Sequence, residues 1–104
     1  MSENRIVRMA EIEVDPQHLE TYRALLGEEI AASVAVEAGV LSLNAVAIKG
    51  SPSRIRILEV YASQEAYEAH LRAPHFLKYK TATAGMVTSL TLLDVEPIIM
   101  CSKP

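Results

Sequence analysis

A change of hydrophobic period at Asp15-Pro16 constrains this chain more than any other feature. From Arg5 to Val14 the side chains alternate: Ile6, Arg8, Ala10, Ile12 and Val14 fall on one side, and Val7 and Met9 share the other with Glu11 and Glu13. A period of two predicts a strand. Beyond Pro16 the pattern changes to spacings of three and four, through Leu19, Tyr22, Leu26, Ile30, Ser33 and Val34, one stripe of an amphipathic helix. Asp15 and Pro16 sharpen the boundary. A carboxylate at the N-cap accepts from the free N–H groups of the first turn, and proline at the first helical position forfeits no hydrogen bond. Gly39 is expected to close the helix as its C-cap, for a length of about 20 residues or about 30 Å.

The same signals divide the rest of the chain. Val40 to Lys49 reads as a second strand, Gly50-Ser-Pro-Ser53 as a turn, and Arg54 to Tyr61 as a third strand, joined to the second as a hairpin. Ser63 is placed to cap a helix from Gln64 to about Arg72. Pro74 interrupts it at Ala73, because the residue before a proline is pushed out of the helical region. His75 to about Ser89 continues as helix, and Thr91 to Met100 forms the last strand, with Pro97 at an edge, a bulge or its end. The order β-α-β-β-α-β predicts an α+β, ferredoxin-like fold: a four-stranded antiparallel sheet with the helices on one face.

With 104 residues the chain is expected to be one domain, residues 1–104, with a core of about 5–98 and a tail of 99–104. On the third strand Ile55, Ile57, Glu59 and Tyr61 share one side while Leu58 and Val60 share the other with Arg56. Apolar residues on both faces call for cover on both, and the helices supply only one layer. A second copy packing sheet against sheet would supply the other, so a homodimer is expected.

Charge and composition exclude several classes. Ten basic residues against thirteen acidic ones leave a net charge of −3, the wrong sign for nucleic acid or an anionic membrane surface. No strictly apolar run exceeds four residues, and the N-terminal Met1 to Arg8 has no hydrophobic leader region, so neither a membrane span nor a secretory signal is expected. The lone Cys101 has no intrachain partner, which fits a cytoplasmic location. The four glycines are isolated, so no dinucleotide fingerprint or phosphate loop is present. The three histidines and one cysteine match no HExxH or CxxC spacing, so no metal site and no motif-bound cofactor are expected.

Chemistry concentrates between Glu59 and Tyr79, where a carboxylate, three phenols (Tyr61, Tyr67, Tyr79) and two imidazoles (His70, His75) lie within 21 residues. Glu59 shares a side with Ile55 and Ile57. Desolvated there, it is a candidate base; the competing expectation is an ion pair with Arg8. His70 is a candidate general acid or base, set against a helix-end histidine bonded to a backbone carbonyl. His75 either caps the restarted helix or lines the site. Phe76 belongs to the core, and Tyr79 either faces the site or packs with a wet hydroxyl. Asn44, with Ser42, interrupts the apolar side of the second strand and either binds a ligand or faces solvent.

These residues, in order, resemble the antibiotic biosynthesis monooxygenase family of small dimeric α+β barrel proteins. The resemblance runs from Arg5 to about Ile98. It rests on Glu59-Val-Tyr61, Ala66-Tyr-Glu-Ala-His70 and Pro74-His75-Phe76, with Val14-Asp15-Pro16 and Gly39-Val-Leu-Ser-Leu before them. It implies a pocket between sheet and helices in each protomer, and oxygenation by dioxygen of an electron-rich aromatic such as a quinol or polyphenol, with no cofactor. His70 and Glu59 would be the catalytic pair, and Asn44, Tyr61, Tyr67, His75 and Tyr79 would contact substrate. The chain departs from the haem-degrading relatives. It has no tryptophan, and Lys80 stands where their haem-ligating histidine falls. Two alternatives on the same scaffold remain: an isomerase or lyase acting on a small phosphorylated or carbonyl metabolite, and a non-catalytic ligand-binding dimer.

Overall fold

The first strand, β1 (Ile6–Val14), pairs along both edges and is one of the two inner strands of the sheet. The computed structural model describes residues 5–104; the first four residues, part of the expected domain and of the N-terminus read as leaderless, lie outside the described residues. After β1 comes a single 3-10 turn (Pro16–His18), then α1 (Leu19–Val36), β2 (Val40–Ile48), β3 (Ser51–Tyr61), α2 (Gln64–Leu71), α3 (Pro74–Thr83) and β4 (Val87–Val95). The sheet is antiparallel in the order β2-β3-β1-β4, the α+β ferredoxin-like arrangement. Among the described residues, no helix is long and apolar enough to cross a membrane.

Local chemistry explains most boundaries. The Asp15 side chain accepts from Gln17 N at 3.0 Å, and Ser63 Oγ accepts from Ala66 N at 3.0 Å to open α2. Gly50 turns the β2–β3 hairpin at φ +84°, a conformation that suits glycine. Pro52 lies inside β3, before the register with β1 ends at Glu13–Arg54, so its missing N–H breaks no rung of that ladder.

Several boundaries differ from expectation. The expected turn Gly50–Ser53 shrinks to Lys49–Gly50, because the hairpin pairing continues and β3 starts at Ser51 rather than Arg54. Gly39 is not a left-handed cap: α1 ends at Glu37 in extended backbone, and Gly39 instead lets α2 approach, since a Cβ there would overlap that of Ala66. The helix after Pro74 ends at Thr83, well short of Ser89. Thr83 Oγ1 folds back onto Tyr79 O at 2.8 Å, and Met86 O accepts from Asp15 N at 2.8 Å, fastening the turn to the start of the 3-10 segment. The β-branched Val87 and Thr88 then start β4 four residues before Thr91, and it ends at Val95, so Pro97 follows the strand. The inward stripe of α1 also rotates at its C-terminal half, where Glu29 and Ser33 are buried and Val34 is exposed.

The core is the layer between sheet and helices: Ala10, Ile12, Val14, Ile55 and Ile57 against Tyr22, Leu26 and Tyr79. Tyr22 and Tyr79 bury their hydroxyls against each other at 2.5 Å, so the core contains no unsatisfied phenol there. On the other sheet face the register places Val7 beside Val60 and Val95, and Met9 beside Leu58 and Leu93. No helix covers this second strip, yet Val7 and Val60 are buried within the protomer while Leu93 and Val95 remain more than a third exposed.

Candidate functional site

The path from β3 into α2 gathers the aromatic residues. Tyr61 closes β3 and Tyr67 stands on the first turns of α2, so their rings meet edge-on at 5.1 Å between centroids. The last turn of α2 carries His70 over Tyr61, at 5.4 Å, and beside Phe76, at 4.7 Å. Pro74 makes α3 a separate helix, and this break brings His75 to 6.4 Å from His70.

Both imidazoles converge on Glu37, at the end of α1. His70 Nδ1 and His75 Nε2 bond the same Glu37 Oε2, at 2.9 and 2.5 Å. Burial works to raise the Glu37 carboxyl, but the hydrogen bonds and charge of the two imidazoles outweigh it and hold it below the usual carboxylate range. An ionised carboxylate only accepts, so Nδ1 of His70 carries a proton and Nε2 is the atom left to act. That nitrogen lies 3.5 Å from Glu29 Oε1. His70 is 3% exposed and Glu29 is 5% exposed. Burial pushes the Glu29 carboxyl up, partly offset by the Ser33 hydroxyl, which donates to it at 2.8 Å.

Glu59 behaves like Glu29. Burial raises it, and the Tyr61 hydroxyl, donating at 2.8 Å, opposes the rise. The Tyr61 phenol is itself pushed far up by burial and by the Glu59 charge. The expected ion pair with Arg8 is not formed. Arg8 and Glu59 face each other in register, but Arg8 Nη2 pairs with Asp94 at 3.2 Å and the guanidinium stacks on Tyr67 at 4.4 Å. Asp94 on β4 is exposed and Tyr67 offers a flat ring, so the planar guanidinium is held between them.

These groups border a cavity of about 90 Å³. Its apolar wall includes Ala10, Ile12, Leu26, Ile57 and Phe76, and its polar side is Glu29, Glu59, Tyr61, Tyr67, His70 and Tyr79. Lys80 is the one cation among the lining residues, and Leu90 and Leu92 form a partly open side on β4, each close to half exposed.

The structure therefore brings Glu59, Tyr61, Tyr67, His70 and Tyr79 to one cavity. His75 joins through Glu37 rather than by lining it, and does not cap α3, whose cap position is Ala73. His70 is neither exposed nor bonded to a backbone carbonyl. Asn44 stands apart: it is exposed, pairs with Leu58 across the strands, and borders a separate groove with Arg23 and Gly27. Sequence reasoning misses Glu29 and Glu37. Glu29 carries a signal, because Tyr22, Leu26, Glu29 and Ser33 continue the three-four spacing; Glu37, beyond the helical pattern, carries none. The side-chain atoms of Glu37, His70 and His75 that can ligate a metal all lie within 4.8 Å of one another.

A family model for antibiotic biosynthesis monooxygenase matches residues 5–82. No curated protein matches the chain. Among solved structures, a candidate antibiotic biosynthesis monooxygenase of Bacteroides thetaiotaomicron is 47% identical and superposes with a TM-score of 0.95, covering 100% of this chain and 99% of its own. A candidate monooxygenase of Lactobacillus acidophilus is 30% identical with a TM-score of 0.85, over 86% of this chain and 43% of that longer one. A Pseudomonas aeruginosa protein at 19% identity, with a TM-score of 0.86 over 95% of this chain and 99% of its own, shares the fold.

Proposed function

Because this chain belongs to the antibiotic biosynthesis monooxygenase family, we propose that it oxygenates a small electron-rich phenol with dioxygen, using His70 as the base. The observation that carries this reading is the buried His70 imidazole, held through Nδ1 by the ionised Glu37 at 2.9 Å, while Nε2, 3.5 Å from Glu29 Oε1, is left to act at the cavity. A carboxylate that fixes one ring nitrogen orients the other for proton transfer.

The chemistry balances on dioxygen alone. His70 Nε2 takes the phenolic proton, and the resulting phenolate passes one electron to dioxygen. The two radicals join through a C–O bond. The O–O bond then breaks as the ring carbon loses its hydrogen as a proton, leaving a carbonyl. The second oxygen departs as water, completed by the proton from His70. For a hydroquinone, one molecule and one dioxygen give one hydroxyquinone and one water: an oxygen atom enters the ring, and the other leaves with two hydrogens of the substrate. The protein excludes water and stabilises the anion.

Cavity size and charge support a narrow substrate class. At about 90 Å³ the chamber is smaller than the engineered cavity of about 150 Å³ that holds benzene, so even a single phenol ring fills it and has to protrude through the partly open side at Leu90 and Leu92. Two carboxylates and the single Lys80 along the walls suit hydroxyl donors and oppose a phosphate, which needs a cluster of cations. The outer sheet face leaves Leu93 and Val95 exposed and Met9 and Leu58 half-buried, although Val7 and Val60 are already buried in the protomer; this remaining apolar surface supports a homodimer in which the partner's sheet covers that face.

The test is oxygen consumption with hydroquinone, menadiol and an anthrone. We expect water, not hydrogen peroxide, as the reduced product, and a loss of about 10²–10⁴-fold in kcat for His70→Ala. Uptake no faster than the spontaneous rate with all three substrates would overturn the proposal.

A further inference from the structure

Glu37, His70 and His75 form a group that general acid–base chemistry does not need in full. A base requires one orienting carboxylate, yet here a second imidazole closes on the same Oε2 from a different helix. The set is two imidazole nitrogens and one carboxylate oxygen, all within 4.8 Å of one another. Borderline divalent ions such as zinc take this donor combination, commonly with one coordination position left open.

A second observation concerns the far side of His70. Nε2, the nitrogen turned away from Glu37, faces the buried carboxylate of Glu29 at 3.5 Å, and Ser33 holds that carboxylate at 2.8 Å. A metal-bound histidine characteristically donates its other ring N–H to a carboxylate, which is in turn hydrogen-bonded. Charge points the same way. Glu29, Glu37 and Glu59 cluster around two imidazoles, and Arg8, the guanidinium in register with Glu59, is engaged with Asp94 and Tyr67.

We propose that His70 Nδ1, His75 Nε2 and Glu37 form a site for a divalent transition-metal ion, with Glu29 as its supporting carboxylate. On binding, each imidazole presents a lone pair in place of the N–H now given to Glu37 and carries its proton on the other ring nitrogen. For His70 that nitrogen is Nε2, which then donates to Glu29. A loaded site thus places the proton on Nε2 and removes its lone pair, so metal occupancy and proton abstraction by His70 exclude each other. The site itself stands on the cluster geometry and does not depend on the oxygenase reading.

The test uses Zn²⁺ alone, with the full chain first stripped by chelator. Equilibrium dialysis and titration calorimetry should find one Zn²⁺ per chain in the wild type and in the His18→Ala control. Binding should be lost in His75→Ala and Glu37→Ala, and weakened about 10- to 100-fold in the conservative Glu29→Gln. Circular dichroism identifies any variant that fails to fold. His75, at the surface end of the cluster, is the substitution least demanding on the fold, and Co²⁺ absorption bands in the wild type, absent from His75→Ala, give a spectroscopic readout. No stoichiometric Zn²⁺ in the wild type, or the same affinity in a folded His75→Ala, would overturn the proposal.

Discussion

Glu37 and Glu59 are both partly buried carboxylates near the same imidazole, and their protonation is displaced in opposite directions. Glu37 receives bonds from two imidazoles that can carry charge, so its ionised form is favoured despite burial. Glu59 receives one bond from a neutral phenol, and Glu29 one from a neutral hydroxyl; for both, desolvation wins. The donors decide the outcome more than depth does. One carboxylate of the site is thereby kept as a fixed anion that orients His70, while two others face the cavity poorly suited to charge.

The largest test of this contrast removes the anion. Glu37→Ala deletes two charge-assisted hydrogen bonds and should cost about 3 kcal/mol in urea denaturation at neutral pH. Because its folded carboxyl lies below the usual range, the stabilisation is complete above that range and lost as pH falls through the lowered value. The gap between variant and wild type should therefore close in acid.

Gly39→Ala perturbs the same cluster without touching its chemistry. The added Cβ meets Ala66 on α2, so the helix carrying His70 must move away from the end of α1. A cost of about 2 kcal/mol is expected from overpacking, together with a shifted His70 ring signal in NMR spectra. A full-stability variant with an unmoved signal would show that the close approach does not set the His70–Glu37 distance.

Glu59→Gln should act with the opposite sign and the smallest size. The raised folded carboxyl destabilises the fold as pH rises from the ordinary carboxylate range through the raised value, and costs nothing below it. The variant should be more stable than wild type by about 1 kcal/mol at alkaline pH, with the difference vanishing as pH falls. A wild-type advantage at high pH would mean that the Tyr61 bond outweighs desolvation.

Much of the fold is legible in the sequence because its signals are local. Asp15-Pro16, Ser63 and Pro74 act through the backbone of their own turn, and all three mark boundaries in the structure. Gly39 lies near the expected boundary for a different reason: its role is contact with Ala66 on another helix, which no local pattern encodes. The start of β4 falls earlier than its local pattern suggests because the turn at Thr83–Met86 is fastened to Asp15, again across the chain. In the site, the Glu59–Tyr79 segment is where aromatic and titratable groups meet, as its composition suggests, whereas Asn44 has only its polarity to recommend it and borders another part of the surface.

The sequence by itself determined the strands, the helix starts and the order that makes a ferredoxin-like sheet, because alternation, capping and proline act within a few residues. Only the tertiary structure decided that Glu37 would meet two histidines 33 and 38 positions further on, and that Glu29 would be turned inward beneath them. Long-range packing places carboxylates in the same buried region and gives them different donors, and those donors set which one stays charged.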